Sequence, residues 1–134
     1  MVYAVIDTNV LVSALLSRRQ DSGVVVIRDY ILEGKIVPVY NDEIFREYDE
    51  VLHRAKFAFP SLQVDAVLDA VQELGIVLDR TESEEEFPDP KDVVFYEVAL
   101  SKEDAYLVTG NTRHFPKNPI VVTPGELLEI IKNM

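Results

Sequence analysis

The residues of this chain best suited to chemistry are acids placed just beyond strand-like runs. Val2-Tyr3-Ala4-Val5-Ile6 is a compact apolar run, rich in β-branched residues and as long as a buried strand, and it stops at Asp7-Thr8-Asn9. In open parallel α/β sheets, ligands bind beyond the carboxyl ends of the strands, where helix amino termini point inward. Asp7 stands where such a site would be. An acid in the helix after the second strand-like run, Glu47 or Asp49, repeats the arrangement, as does Asp92 after the third, and Asn111 follows the fourth. Plainer uses exist for each. Asp7 or Thr8 suits a helix N-cap, and Glu47 and Asp49 lie at opposite edges of one apolar stripe, so periodicity does not separate them.

In a parallel sheet these positions share one end, so acids remote in sequence converge there without long excursions of the chain. Convergence is costly: at about 4 Å two unit charges repel by roughly 4 kcal/mol at an effective dielectric near 20, so the cluster needs a cation or a bound proton. The chain has no cysteine and two histidines, which leaves oxygen as the ligand for any metal. Oxygen ligands, some of them charged, match Mg²⁺ or Mn²⁺, ions that also bind substrate phosphate. Phosphodiester hydrolysis is the natural reaction for such a site.

The elements that must position these groups follow from periodicity and punctuation. Val10, Leu11, Ala14 and Leu15 recur at helical spacing to about Ser17, and a second helix over roughly 23–32 ends at Gly34. Ile36 to Tyr40 reads as a strand. Asn41 or Asp42 then caps a third helix striped with Ile44, Tyr48, Val51, Leu52 and Ala55, and Phe57 to Pro60 breaks the chain. A fourth helix ends at Gly75, and Ile76-Val77-Leu78 is the third strand. The acidic run from Glu82 to Glu86 reads as a solvated loop. Asp89 at the N-cap, Pro90 at N1 and Asp92 at N3 open another helix, whose shared face with Phe95, Tyr96 and Ala99 points Asp92 at the sheet. Ala105 to Thr109 and Pro119 to Thr123 are the last two strands, and Pro124 begins a closing amphipathic helix. Strands alternating with helices predict an α/β fold: a single domain over residues 1–134, a mostly parallel five-stranded sheet with helices on both faces.

The 13 basic and 24 acidic residues give a formal net charge of −11, which opposes broad electrostatic attachment to nucleic acid or to an anionic membrane. It does not exclude an enzyme acting on nucleic acid, because carboxylates that hold divalent cations belong to that sum and reverse sign locally when loaded. Distribution therefore matters more than total. Arg18, Arg19, Arg54, Lys56, Arg113 and Lys117 flank the predicted site elements and are candidate phosphate contacts. No apolar run approaches the roughly 20 residues of a membrane span, and a soluble cytoplasmic protein without membrane attachment is expected.

At these residues the chain resembles the PIN-domain nucleases. The matching features are Val-Ile-Asp7-Thr8-Asn9-Val, Glu47-Tyr48 followed by Val51-Leu52, Asp89-Pro90-Lys91-Asp92, and Tyr106-Leu-Val-Thr109-Gly110-Asn111 with Phe115. Val122-Thr123-Pro124-Gly-Glu-Leu-Leu is similar to the family's last strand and helix. The resemblance implies a three-layer α/β/α sandwich, Rossmann-like, and a Mg²⁺- or Mn²⁺-dependent endoribonuclease with Asp7, Glu47 and Asp92 as its metal-binding catalytic acids. It thereby selects Glu47 over Asp49. Many small prokaryotic members are toxins held inactive by an antitoxin, and homodimers are a family expectation. This chain departs at Asn111, where the family often has a fourth aspartate. Asparagine accepts through its carbonyl oxygen but brings no charge, which implies weaker metal binding or one ion instead of two.

Thr8, Asn9 and Thr109 are candidates for orienting the acids, with turn and cap hydrogen bonding as the alternative use. Arg113 is a candidate substrate contact. His53 and His114 are expected at the surface, although His114 borders the predicted cleft. Asp104, before the fourth strand, is expected at the strand entrance. Two other functions compete: a PIN-like module that has left catalysis behind and binds a protein partner or RNA, and an aspartyl phosphotransferase using Asp7. The latter ranks last, because that chemistry wants a second aspartate where Asn9 stands.

Overall fold

A computed structural model of the chain describes all 134 residues. Five strands, β1 (Val2–Ile6), β2 (Ile36–Tyr40), β3 (Ile76–Val77), β4 (Ala105–Val108) and β5 (Val121–Val122), form one sheet in the order β3-β2-β1-β4-β5. Every neighbouring pair is parallel, with Val2 opposite Ile36 on one side of β1 and Ile6 opposite Val108 on the other. A parallel sheet covered on both faces needs apolar side chains in both directions, and β2 is accordingly buried at all five positions.

Six helices cover the sheet: α1 (Thr8–Leu16), α2 (Gly23–Leu32), α3 (Asp42–Leu52), α4 (Ser61–Leu74), α5 (Val93–Leu100) and α6 (Pro124–Lys132). From β1 the chain steps outward through β2 to β3, then returns across the sheet to β4 on the far side of β1. Right-handed connections place the outward and returning crossovers on opposite faces, which gives the three layers. The reversal also opens a crevice between the carboxyl ends of β1 and β4, where a doubly wound fold binds its ligands.

Local rules explain most boundaries. Gly34 takes φ +78, and α2 closes with the Lys35 amide donating to the Tyr30 carbonyl at 2.9 Å and the Gly34 amide to that of Ile31, a left-handed glycine termination. Asn41 caps α3 by accepting from the Ile44 amide at 2.9 Å. Thr123 and Glu126 form a reciprocal capping box at the start of α6. Gly75 has another role: its φ is −84, but a β-carbon there would lie 2.3 Å from the Val71 carbonyl oxygen and 2.6 Å from that of Pro38. The end of α4 thus meets β2 at a distance only glycine permits.

Several elements differ from the sequence expectation, among them α3, which stops at Leu52 and leaves Ala55 exposed in the turn beyond it. The Asp89 carboxylate accepts from the Lys91 amide at 3.0 Å, two residues on, and this tight Asx turn winds Pro90–Asp92 as one 3₁₀ turn before α5 begins at Val93. β5 is shorter than the run Pro119–Thr123, because Asn118 takes the Ile120 amide on its side chain and the Val121 amide on its carbonyl. β3 stops at Val77, although the Leu78 amide still reaches the Tyr40 carbonyl at 2.9 Å. The acidic loop after β3 is exposed as expected, yet its root is tied down. Arg80 pairs with the buried Glu97 of α5 and with Glu43 of α3, and the Ser83 amide donates to the other Glu97 oxygen at 2.7 Å.

Gly75→Ala should destabilise the fold by about 2 kcal/mol, the scale of overpacking at a site that cannot widen freely. Urea unfolding checks this: the midpoint should fall with the slope unchanged, and an unmoved midpoint would mean that the backbone around residue 75 relaxes without strain.

Candidate active site

Asp7 ends β1 and occupies the N-cap position of α1, yet its carboxylate makes no capping hydrogen bond. Instead it accepts from the Thr109 hydroxyl at 2.8 Å, across the crevice from the end of β4. Asp7 is 7% exposed, Thr8 4% and Thr109 fully buried, so this pair lies inside the protein rather than on its rim. The backbone locks the same junction: the Asp7 amide donates to Val108, and the Thr109 amide donates to Val122. The next residue carries the link to the third element, since the Thr8 hydroxyl donates to Glu47 of α3. One turn of that helix is held against β1 by Tyr48, whose buried hydroxyl donates to the Ile6 carbonyl. Asp92 arrives on the 3₁₀ turn, with Oδ2 buried and without any hydrogen-bond partner. The nearest base is His114, whose Nδ1 lies 3.5 Å away, beyond a normal hydrogen bond.

Asp7, Glu47 and Asp92 line one cleft of about 350 Å³, joined by Asp89 and by Lys91, Arg54 and Lys56. The electrostatics follow from burying acids together. Desolvation raises the Asp7 carboxyl, against the Thr109 hydroxyl and the amides at the start of α1, which favour its charged form. Glu47 is raised by burial and by Asp7, with the Thr8 hydroxyl and Lys91 opposing. Asp92 is pushed furthest, to about 6, by burial first and then by the charges of Asp7 and Asp89. All three acids therefore hold their protons more tightly than free carboxylic acids do, the condition that a nearby cation relieves.

The sequence candidates divide cleanly. Thr8 and Thr109 hold acids, Asn9 is exposed and also lines the cleft, and Glu47 faces inward while Asp49 is exposed and paired with His53 at 3.3 Å. Asn111 is exposed and does not line the cleft; its amide nitrogen lies 3.0 Å from His114 Nε2, and its backbone amide donates to Thr109. Arg113 does not line the cleft; it lines a separate groove with Lys117. Arg19 pairs with Asp21 at the surface, and Asp104 pairs with Lys102 before β4. His114, expected at the surface beside the cleft, lies between Asp92 at 3.5 Å and the Asn111 amide at 3.0 Å, and Lys91, not singled out from the sequence, lines the cleft. The placement of Lys91 between Asp89 and Asp92 was the available signal for it.

As the side chains stand, no group of three or more acidic or histidine residues closes to metal-binding distance. The donor set nonetheless fits a hard divalent cation. It consists of oxygens in a charged cleft, and one of them, Asp92 Oδ2, is buried without a partner.

A parallel α/β sheet that gathers acids at its switch point defines the class of fold. Residues 3–113 match the PIN domain, and the chain belongs to that family. PIN domains are typically nucleases and generally use divalent metal ions. The matched span covers every residue of the cleft and ends before β5 and α6. Comparison with curated proteins and with solved structures gives no match.

The raised Asp92 carboxyl has a consequence for stability. Its charged form is the one the fold disfavours, so the penalty is absent below about pH 4, grows as the pH rises and is complete above about pH 6. Asp92→Asn should therefore stabilise the metal-free protein by roughly 2 kcal/mol at pH 7.5, with the gain vanishing near pH 4. Denaturant titrations with chelator at the two pH values measure this. A variant no more stable than its parent at pH 7.5 would mean that the carboxylate is ionised there without strain.

Proposed function

We propose that this protein is a divalent-metal-dependent endoribonuclease, with Asp7, Glu47 and Asp92 holding Mg²⁺ or Mn²⁺ and hydrolysing RNA phosphodiester bonds. The observation that carries the reading is the partnerless, buried Asp92 Oδ2 in a cleft shared with two further acids of raised proton affinity. An acid so placed has no structural use. Burial without a partner destabilises the fold, and a ligand that recovers the loss is the usual reason for keeping it.

When bound, the ion supplies a Lewis acid that orients and acidifies the attacking water and offsets charge on the phosphoryl oxygens. The chain's own residues prepare that chemistry. Thr109 fixes the Asp7 carboxylate from β4, and Thr8 fixes Glu47 from the first turn of α1, so two acids are oriented by hydroxyls that are themselves on rigid elements. Asn9, exposed beside Asp7, is placed to contact the ion's water or the substrate. Arg54, Lys56 and Lys91 give the cleft a basic wall for the phosphates on either side of the scissile bond. Asn111 is engaged by His114 and brings no charge, which favours one ion over two.

RNA is then the substrate and the cytoplasm the setting. As with many small prokaryotic members of the family, a cognate antitoxin and a second copy of the chain are the expected partners, with the protein acting as the toxin of the pair.

Purified protein should cleave a mixed single-stranded RNA with Mg²⁺ or Mn²⁺ and not with chelator. Asp92→Asn should lower the rate by about 100-fold or more, since removing even an outer-shell partner of a metal site costs about 10- to 100-fold. Gel analysis with the variant beside the parent separates this activity from a contaminating ribonuclease. If both proteins are inert in every metal while the parent still binds RNA or a protein partner, the domain is a binding module.

A further inference from the structure

Thr112–His114, the 3₁₀ turn after β4, carries a histidine beside the acids and two residues of a separate groove. His114 lies 3.5 Å from Asp92. The groove, of about 410 Å³, is lined by Thr112, Arg113, Pro116 and Lys117 together with Phe115 and Val121. No acidic residue lines it. What sets it apart is that two cations, Arg113 and Lys117, stand together in it with no acid beside them.

The pairing of charges sharpens the contrast. Six of the 13 basic side chains are held in ion pairs with acids of the same chain. Arg113 and Lys117 are exposed and unpaired, as are Lys56 and Lys91 in the acid cleft. Unpaired bases thus line both the acid cleft and the groove beside the His114 turn. Asn118 does not compete for a ligand in the groove, because its amide is committed to the Tyr96 hydroxyl and to the Ile120 amide. The groove is held rigidly by those bonds, and its two cations remain free.

We infer that the Arg113–Lys117 groove is a second phosphate subsite, which holds the single-stranded RNA beside the His114 turn, apart from the basic residues of the cleft. The strand then has phosphates gripped in both the cleft and the groove, so the bond presented for cleavage is internal. This rests on the nuclease reading and adds the path of the substrate to it.

The test uses full-length protein carrying Asp92→Asn, so that RNA is bound and not cut, and reads fluorescence anisotropy of a labelled single-stranded RNA over a range of salt concentrations. For single strands, each phosphate neutralised by the protein adds about 0.7 to the steepness of log affinity against log salt. Adding Arg113→Ala with Lys117→Ala should therefore make the slope shallower by about 1.4 and weaken binding to unrelated RNA sequences alike. Arg113→Lys with Lys117→Arg should restore the slope, which a merely structural role for the two side chains would not do. An alanine pair with unchanged slope and affinity overturns the subsite and leaves the nuclease standing, provided the parent protein cleaves RNA. A parent that neither cleaves nor binds RNA in any metal overturns both.

Discussion

Burial of the Asp7 carboxyl at the end of the central strand is the constraint on which the rest of this structure depends. An ionisable group that is 7% exposed needs a hydrogen-bond donor within the protein. The donor is Thr109, contributed by the neighbouring strand, 102 residues away in sequence. β1 and β4 must therefore be adjacent and end at the same level, which they do through the register of Ile6 with Val108. Everything that converges on the cleft is built outward from this junction.

The elements carrying Glu47 and Asp92 are tied to it in different ways. α3 is pinned directly, by Thr8 on Glu47 and by Tyr48 on the Ile6 carbonyl, so its acid is placed by two bonds to the same strand end. Asp92 has no such tether. Its position comes from the Asx turn at Asp89 and from α5, whose Phe95, Tyr96 and Ala99 are buried against the sheet. Arg80 joins the two helices by reaching Glu43 at the start of α3 and Glu97 in α5. That pairing fixes the separation of the acids with charges that lie outside the cleft.

The distribution of charge follows the same plan across the whole chain. A net charge of −11 would repel a polyanion if it were spread evenly, yet four bases without ion-pair partners, Lys56, Lys91, Arg113 and Lys117, line the cleft or the second groove. Acidic excess elsewhere, as in the exposed loop from Glu82 to Glu86, keeps nucleic acid from settling on the remaining surface.

Much of this was legible in the sequence. The β-branched run ending at Asp7, the helix termination at Gly34, the capping residues Asn41 and Thr123 and the alternation of strands with helices are local signals, each decided within a few residues by backbone sterics and hydrogen-bond supply. They were sufficient for a parallel α/β fold with its acids at one end. What tertiary structure alone decided are the matters of direction and distance. Periodicity set Glu47 and Asp49 on equal terms and the family resemblance chose Glu47, but the contact that turns it inward, with Thr8, and the pairing of Asp49 with His53 come from the packing of α3 against β1. The shortening of β5, the 3₁₀ turn at Pro90 and the need for glycine at residue 75 arise from contacts between segments. His114 is exposed as expected, and the turn after β4 sets it 3.5 Å from Asp92, while Asn111 stands outside the cleft with its amide 3.0 Å from that histidine. Hydrogen-bond partners remote in sequence leave no mark on local composition, so the acids that gather at the strand ends were readable from the chain, whereas the bonds that hold them there, Thr109 to Asp7 and Thr8 to Glu47, were not.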